Sequence, residues 1–241
     1  MKILMRPEPR ADSVSTPDAS LTMTMRLTAE AAGSGFLALI IVAAGILAER
    51  HAGGSIALAA LITALAGASG FLVLMRTLSP WAASLFNPAL ALAFMLTGRA
   101  DLMTGILSAA AQIAAAFLGV MLAHLVTNTG LIQAATQIQT GTGVWTGEFL
   151  GTGLYVFAIL TLTARGREAP IPLTGALALI AISLATPSLS FANPALTVAR
   201  SLTDSFTAIR LVDAAAIAGV QCLAAIGAWL LHLWFSPQRE D

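Results

Sequence analysis

The chain alternates long apolar runs with short polar connections. A helix that crosses a lipid bilayer needs about 20 mostly apolar residues, and six of the runs are close to or above that length. They cover residues 27–49, 54–77, 103–127, 142–165, 170–187 and 210–235. Two further apolar segments, 87–98 and 193–203, are too short to cross, and each begins with Asn-Pro. The pattern predicts an all-α integral membrane protein with six spans and two half-length helices.

The two ends of the chain are polar. Residues 1–26 contain three prolines and no long apolar run, whereas a signal peptide has an apolar region soon after its positive start. We therefore expect a disordered tail over 1–26 and a second short tail over 236–241. Lys and Arg favour the cytosolic side of a membrane protein. Six alternating spans place most of the twelve Lys and Arg residues on that side when both termini are cytosolic.

Composition supports a membrane protein and excludes several other classes. Hydrophobic residues make up 57% of the chain and charged residues only 10%, against about 25% charged residues in soluble domains. A formal net charge of zero gives no electrostatic support to a nucleic-acid partner. The single cysteine, Cys222, rules out a disulfide within the chain and a multi-cysteine metal site. With three scattered histidines, we expect neither a metal nor another cofactor.

An internal repeat divides the predicted membrane domain, 27–235, into two halves, 27–127 and 142–235. The order Glu, Asn-Pro-Ala-Leu, Gln occurs twice, as Glu30, Asn87-Pro88-Ala89-Leu90 and Gln112, and then as Glu148, Asn193-Pro194-Ala195-Leu196 and Gln221. The whole chain has only three asparagines, and two of them begin these boxes. Each half contains an odd number of spans, so the second half must be inverted relative to the first. Inverted repeats are common in transport folds, with the site where the halves meet.

Each Asn-Pro pair predicts the start of a helix, because Asn is a favoured N-cap and Pro suits the first helical position. Each Asn-Pro pair begins a segment of about eleven residues, and a helix of that length spans about 16 Å. This is roughly half of the ~30 Å hydrocarbon core. Two such helices from opposite sides would meet N-terminus to N-terminus near the midplane. The positive ends of their dipoles would repel cations and protons, while the amides of Asn87 and Asn193 could donate hydrogen bonds. The pattern therefore predicts passage of uncharged polar molecules with ions excluded.

These residues resemble the aquaporin/major intrinsic protein family. The resemblance rests on the boxes Asn87-Pro88-Ala89 and Asn193-Pro194-Ala195, on the glutamates Glu30 and Glu148 that open spans, and on Gln112; it covers nearly the whole membrane part. It implies an aquaporin-like fold with two re-entrant half-helices, a pore in each protomer and a homotetramer. We accordingly expect 27–235 to be a channel domain, in a multi-pass protein of the plasma membrane.

The selectivity filter departs from the family pattern. Family members usually carry Arg directly after the second Asn-Pro-Ala box, and this chain has Leu196 there. By position, the other filter residues are Gly67, Ser183 and Ser190, with Ile182 as the alternative to Ser183 in the fifth span. All are non-ionisable and most are small, which predicts a filter wider than that of a water-only channel. The expected solutes are glycerol, urea and neutral metalloid acids, with water as a candidate companion.

Arg200 has two interpretations. It follows Leu196 by four residues, which places it on the same face of a helix, so it can act as a displaced filter residue at the outer mouth. Alternatively, it is a solvated arginine, or one paired with Asp204, at the end of a helix.

Glu30 and Glu148 also have two interpretations. A carboxylate inside a membrane is a candidate functional group, for example a proton carrier. The resemblance instead implies that each glutamate supports a re-entrant loop through backbone hydrogen bonds. Their matching places in the repeat favour this structural role, and Gln112 and Gln221 are assigned to it as well.

Two other classes of protein compete with a passive channel, which is not an enzyme. A secondary transporter also uses broken helices, but it would need a coupling site at the midplane. An intramembrane protease is suggested by Gly67-Ala68-Ser69-Gly70 with His124 or His232 as the base. Small residues in a span are far more often packing contacts, so the protease is the weakest of the three hypotheses.

Overall fold

The computed structural model describes residues 21–83 and 85–235, and every regular element in these ranges is helical. The helices are α1 (Met23–His51), α2 (Ile56–Leu78), α3 (Pro88–Leu96), α4 (Leu102–Val126), α5 (Thr142–Ala164), α6 (Ile171–Ala185), α7 (Pro194–Ala199) and α8 (Leu211–Phe235). A 3₁₀ turn, Arg200–Leu202, follows α7. The predicted all-α fold class is confirmed.

Five of the described helices, α1, α2, α4, α5 and α8, are long and apolar enough to cross a membrane. The predicted span 170–187 is realised as the shorter apolar helix α6, which has 15 residues. It ends at Ala185 because Thr186 precedes Pro187, and the residue before a proline is driven into extended backbone. Thr186 has φ −116° and ψ 139°, so the chain leaves α6 directly into the second re-entrant segment.

The first helix begins earlier than predicted. Thr22 is its N-cap, and the Thr22 hydroxyl accepts a hydrogen bond of 3.2 Å from the backbone N–H of Met25. Helical structure therefore starts at Met23 rather than at residue 27. Residues 1–20 of the predicted tail, and the predicted tail 236–241, lie outside the described residues.

Helix packing follows the repeat. In the first half α1 packs on α2 and α4, and in the second half α5 packs on α6 and α8. Each half-helix contacts both halves: α3 packs against α4 and α8, and α7 packs against α8 and α4. Helices α2 and α6 join the halves. Exchanging the two halves leaves this pattern unchanged, as an inverted repeat requires.

Helices α1 and α4 approach each other closely at a pair of glycines. A Cβ atom placed on Gly119 would lie 2.1 Å from the carbonyl oxygen of Gly35, well inside van der Waals contact. Small residues allow this close packing in lipid, where helix association depends on van der Waals contact rather than on the hydrophobic effect.

The connection between α4 and α5, residues 127–141, lies against the segment that follows α7. The backbone N–H groups of Gln133 and Ala135 donate to the carbonyls of Leu202 and Ser201 at 3.0 and 3.1 Å. The Asp204 carboxylate accepts bonds from the N–H and hydroxyl of Thr136, and these bonds hold the pKa of Asp204 below its usual range.

We expect Gly119→Ala to destabilise the protein by about 1–3 kcal/mol, the usual cost of overpacking, because the added methyl group meets the Gly35 backbone. Gly219→Ala on α8 is the matched control, since a Cβ there meets no heavy atom within 4 Å. Thermal unfolding in detergent measures both variants. Equal melting temperatures for the two would contradict the close α1–α4 approach.

Candidate functional site

The two Asn-Pro boxes form the starts of α3 and α7. The Oδ1 atom of Asn87 accepts a hydrogen bond of 2.9 Å from the N–H of Ala89, and that of Asn193 accepts one of 3.0 Å from Ala195. Pro88 and Pro194 occupy the first helical positions, where the missing N–H costs nothing. Each box thus begins a helix with its free backbone donors at the Asn end.

The asparagines also bind each other's loops. The Asn87 amide nitrogen donates to the carbonyl of Ala192 at 2.9 Å, and the Asn193 amide nitrogen donates to the carbonyl of Phe86 at 2.9 Å. These reciprocal bonds bring the two boxes together at the meeting point of the half-helices. An amide nitrogen carries two hydrogens, so each asparagine has a second N–H beyond its bond to the opposite loop.

Both lead-in segments contain backbone in the left-handed region. The φ angles are 55° at Leu85 and 61° at Phe86, and they are 51° at Leu189 and at Ala192. Such a conformation costs a non-glycine residue about 1–3 kcal/mol, so surrounding contacts must hold it in place. Irregular backbone at membrane depth occurs only inside protein or along a water-filled cavity.

Glu30 supports the first lead-in. Its Oε2 atom accepts hydrogen bonds from the backbone N–H of Phe86 at 2.8 Å and from the side-chain amide of Gln112 at 2.7 Å. Glu30 and Gln112 are both fully buried. The carboxylate therefore binds the left-handed residue directly before Asn87.

Glu148 supports the second lead-in, by a different set of donors. It accepts bonds from the hydroxyls of Ser188 and Ser190, at 2.5 and 2.6 Å, and from the amide of Gln221 at 2.8 Å. The Gln221 side chain also binds the hydroxyl of Thr197 on α7. Both buried glutamates thus contact the re-entrant segments, an arrangement suited to support rather than to proton transfer.

The two serines predicted for the filter, Ser183 and Ser190, have their hydroxyls bound within the protein. The Ser183 hydroxyl donates to the carbonyl of Ser190 at 2.7 Å. The Ser190 hydroxyl donates to Glu148 and accepts from the N–H of Ala192 at 3.0 Å. Leu196, on the first turn of α7, is 3% exposed. The serines therefore hold the loop that carries the predicted filter.

Gly67, a residue predicted for the filter, lies against an aromatic ring. A Cβ atom on Gly67 would lie 2.6 Å from Cε1 of Phe191 and 2.9 Å from Cγ1 of Ile41. Sequence reasoning missed Phe191, although it is adjacent to Ser190 and two residues before Asn193. The sequence gives no signal for this residue, because the contact joins a glycine in the second span to a loop in the other half of the chain.

Arg200 is buried, with 3% of its surface exposed. Its guanidinium donates to the carbonyls of Ser188 at 2.9 Å, Leu189 at 3.1 Å and Thr207. The interpretation as a solvated or Asp204-paired arginine is wrong, because Asp204 binds Thr136 instead. Arg200 also begins a 3₁₀ turn rather than continuing the α-helix that contains Leu196. Its role as a displaced filter residue stays a prediction.

The protease hypothesis finds no support in the geometry. Ser69 is exposed on the outer surface of α2, whereas His124 is buried near the end of α4. The His124 ring bonds to the carbonyl of Leu131 at 2.9 Å. A nucleophilic serine needs a base within hydrogen-bond reach, and His124 instead binds the connection after α4 through Nδ1. His232, the other candidate base, lies in the last turn of α8.

Glu148→Ala should destabilise the protein by at least about 3 kcal/mol, because leaving a buried donor unsatisfied costs about 1–3 kcal/mol and three donors lose their acceptor. The control is Glu168→Ala in the connection between α5 and α6, where the side chain is only partly buried. Chemical or thermal denaturation in micelles compares the two variants. Similar stabilities would mean that Glu148 does not support the loop.

Comparisons with known proteins agree with this architecture. A family model described as "Major intrinsic protein" matches residues 19–190. Aquaglyceroporin AqpS of Rhizobium meliloti (strain 1021) is 35% identical over 215 residues, which cover 87% of this chain and 91% of that protein. The X-ray structure of the aquaglyceroporin from Plasmodium falciparum matches with a TM-score of 0.59 at 18% identity, over 89% of this chain and 95% of that chain.

The structural match supports the fold alone, because its sequence identity is low. The family match covers more than half of the chain, and the relative from Rhizobium meliloti aligns over most of both proteins. The resemblance inferred from the repeated boxes is confirmed. This chain belongs to the major intrinsic protein family, and it is a multi-pass membrane channel rather than an enzyme.

Proposed function

We propose that small uncharged polar solutes pass between the facing starts of α3 and α7, while ions and protons are excluded. The observation that carries this proposal is the reciprocal bonding of Asn87 and Asn193 to the carbonyls before the opposite box. It holds both amides at one level, where the second N–H of Asn193 is offered to a passing oxygen, while the Asn87 side chain also hydrogen-bonds the hydroxyl of Tyr155. A neutral solute can exchange hydrogen bonds with water for bonds to these amides.

Ion exclusion has two sources in this arrangement. Each helix start carries about half a positive charge, and the two starts face each other. The buried guanidinium of Arg200 adds a full positive charge beside the second lead-in. A cation would lose its hydration here, and the carboxylate oxygens of Glu30 and Glu148 already accept hydrogen bonds from the re-entrant segments.

Four non-ionisable residues in the assigned filter favour a solute class wider than water alone, although the Phe191 ring fills the space beside Gly67. We assign the filter to Gly67, Ser183, Ser190 and Leu196, with Arg200 as its only ionisable member. The class comprises glycerol, urea and neutral metalloid acids, with water as a companion. The relative from Rhizobium meliloti is named an aquaglyceroporin, which is consistent with glycerol.

The oligomeric state, the membrane and the side on which the termini lie also belong to the proposed function. We propose a homotetramer in the plasma membrane with both termini in the cytosol. Large apolar side chains cover the outer surfaces of the spanning helices, among them Leu118, Leu150 and Leu223, each at least 60% exposed. Lipid tails and neighbouring protomers would cover such surfaces.

Leu196→Arg should lower glycerol flux by roughly tenfold or more, which corresponds to about 1.4 kcal/mol of added barrier. The substituted side chain is long and cationic, and it begins on the first turn of α7 beside the lead-in. Stopped-flow light scattering on proteoliposomes measures water, glycerol, urea and a neutral metalloid acid. Leu196→Met, which has a similar volume and no charge, is the control.

The same measurements test the channel against a secondary transporter. Channel flux stays nearly linear in solute concentration and needs no ion gradient, whereas transporter flux saturates. Saturating, gradient-dependent uptake would overturn the passive mechanism. Solute flux no faster than in empty liposomes would overturn the whole proposal.

Asn193→Asp should disturb both packing and charge at the midplane. The Asn193 amide nitrogen lies 2.9 Å from the carbonyl of Phe86, and a carboxylate oxygen there would face another acceptor. We expect lower stability or increased cation leak, measured by thermal unfolding and by ion-sensitive dyes in proteoliposomes. Asn128→Asp in the exposed connection after α4 is the matched control. Unchanged stability, ion exclusion and glycerol flux in Asn193→Asp would count against the pore.

A further inference from the structure

We propose that a pocket between the ends of α3, α5 and α8 binds the phosphate group of an anionic phospholipid. The pocket has a volume of about 310 Å³, at the lower end of the range of about 300–1,000 Å³ that is usual for small-molecule sites. It lies at the C-terminal end of α3, whereas Asn87 caps the N-terminal end. Binding there does not depend on which solute passes between the boxes.

Two basic side chains, Arg99 and His232, form the polar side of this pocket. Arg99 lies in the turn after α3, and His232 lies in the last turn of α8. The charge of Arg99 acts on the His232 ring, as expected of two groups that face one space. The described residues that line the pocket include no acid. An anion in the pocket would therefore meet two basic groups and none of the described carboxylates.

The Arg99 guanidinium is held in place at the end of α5. Among the described residues it donates one hydrogen bond, of 3.1 Å, to the carbonyl of Thr163, and a guanidinium has five N–H donors. The remaining donors form a planar fork that matches two oxygens of a phosphate group. Arg99 therefore combines an anchored position with donors that are available to a ligand.

The helix ends around the pocket do not oppose an anion strongly. A helix C-terminus carries about half a negative charge on its last carbonyls, but here several of these carbonyls already accept hydrogen bonds. The carbonyl of Phe94 on α3 accepts from the N–H groups of Arg99 and Ala100, and the carbonyl of Leu162 on α5 accepts from that of Arg167. The side-chain cations are thus the groups most accessible to a ligand.

The other side of the pocket is apolar and reaches the outer surface of α8. Leu160 of α5 and Trp229 of α8 line it, and Leu233, which also lines it, is 47% exposed. The next two residues, Trp234 and Phe235, are exposed as well. Inorganic phosphate would leave this apolar surface uncovered, whereas the glycerol backbone and acyl chains of a phospholipid would cover it. The ligand that fits both sides is amphiphilic.

The pocket also lies at the level of lipid headgroups. Helix α8 has 25 residues, which span about 37 Å, against a hydrocarbon core of ~30 Å. His232 in the last turn therefore lies at the edge of the core. Trp229 lies about one turn before the end of this region, and tryptophan is enriched at the interface between membrane and water.

This end of the molecule is the more basic one. Within the described residues its helix ends and connections carry five arginines against two acids, whereas the opposite end carries three of each. The five are Arg26, Arg76, Arg99, Arg165 and Arg167, with Asp101 and Glu168, and the opposite end has Arg50, Arg200, Arg210, Glu49, Asp204 and Asp213. The proposed orientation places the basic end in the cytosol, and the cytosolic leaflet is the one that carries anionic lipids.

The test measures lipid binding to the purified full-length chain in detergent by native mass spectrometry. Phosphatidylglycerol is compared with phosphatidylcholine of the same acyl chains. We expect phosphatidylglycerol to bind more tightly, and the pocket variant, Arg99→Gln combined with His232→Gln, to weaken its binding by roughly tenfold or more, about 1.4 kcal/mol. Arg76→Gln is the matched control, because it removes an exposed arginine at the same end of the molecule but outside the pocket.

Thermal unfolding with and without ligand gives a second measurement, which does not depend on the stability of each variant alone. A ligand that binds the folded state raises the Tm as its concentration rises. We expect phosphatidylglycerol to raise the Tm of the unmodified protein and of Arg76→Gln, and to raise that of the pocket variant less. Inorganic phosphate should give no comparable shift. If the pocket variant does not fold, Arg99→Gln is measured alone, and Arg99→Lys tests the fork, since lysine keeps the charge without it.

Several outcomes would overturn the proposal. Equal weakening in Arg76→Gln would assign the effect to general attraction between a basic surface and an anionic lipid. Equal binding of the two lipids, or unchanged phosphatidylglycerol binding in the folded pocket variant, would remove the site. A Tm shift with inorganic phosphate as large as that with phosphatidylglycerol would overturn the assignment to a lipid. Glycerol flux tests the proposed function separately, so its absence would leave the lipid site in place.

Discussion

Irregular backbone in the middle of a bilayer has to be bound by the protein, because lipid offers no hydrogen-bonding partners. The rest of this structure depends on that constraint. Two lead-in segments enter the membrane in left-handed conformations, and each is held by a buried glutamate and by the asparagine of the opposite half. Glu30 binds the backbone of Phe86, and Asn193 binds the carbonyl of the same residue. The groups that form the candidate site are therefore also those that make the fold possible.

The two halves satisfy this constraint in different ways. In the first half the carboxylate binds a backbone N–H, whereas in the second half Glu148 binds two serine hydroxyls. The second half also has a buried cation. The Ser188 hydroxyl donates to Glu148, and the carbonyl of Ser188 accepts from Arg200. A buried charge is costly unless an opposite charge and hydrogen bonds accompany it, so Glu148 and Arg200 stabilise each other's burial through this one residue.

Much of this arrangement could be predicted from the sequence because the repeat is local and strict. The Asn-Pro pairs define both helix starts by capping preferences alone, and the structure places helix starts at Pro88 and Pro194. The early start of α1 follows from Thr22, a capping residue that the apolar pattern does not weigh. The early end of α6 could have been read from Pro187. The contact between the Phe191 ring and Gly67 could not be predicted in this way. Nor could the carbonyls that accept hydrogen bonds from Arg200, because both depend on how distant segments fold onto each other.

The position of Arg200 separates a positive charge from the residue that directly follows the second Asn-Pro-Ala box. An arginine directly after the box would place its charge on the first turn of α7, where this chain has Leu196. Here the guanidinium lies one turn later and binds carbonyls of the lead-in at Ser188 and Leu189. The positive charge beside the second half-helix is kept, while the first turn carries an apolar side chain. In the proposed channel, charge excludes ions and side-chain volume limits solute size, so this arrangement assigns the two tasks to different residues.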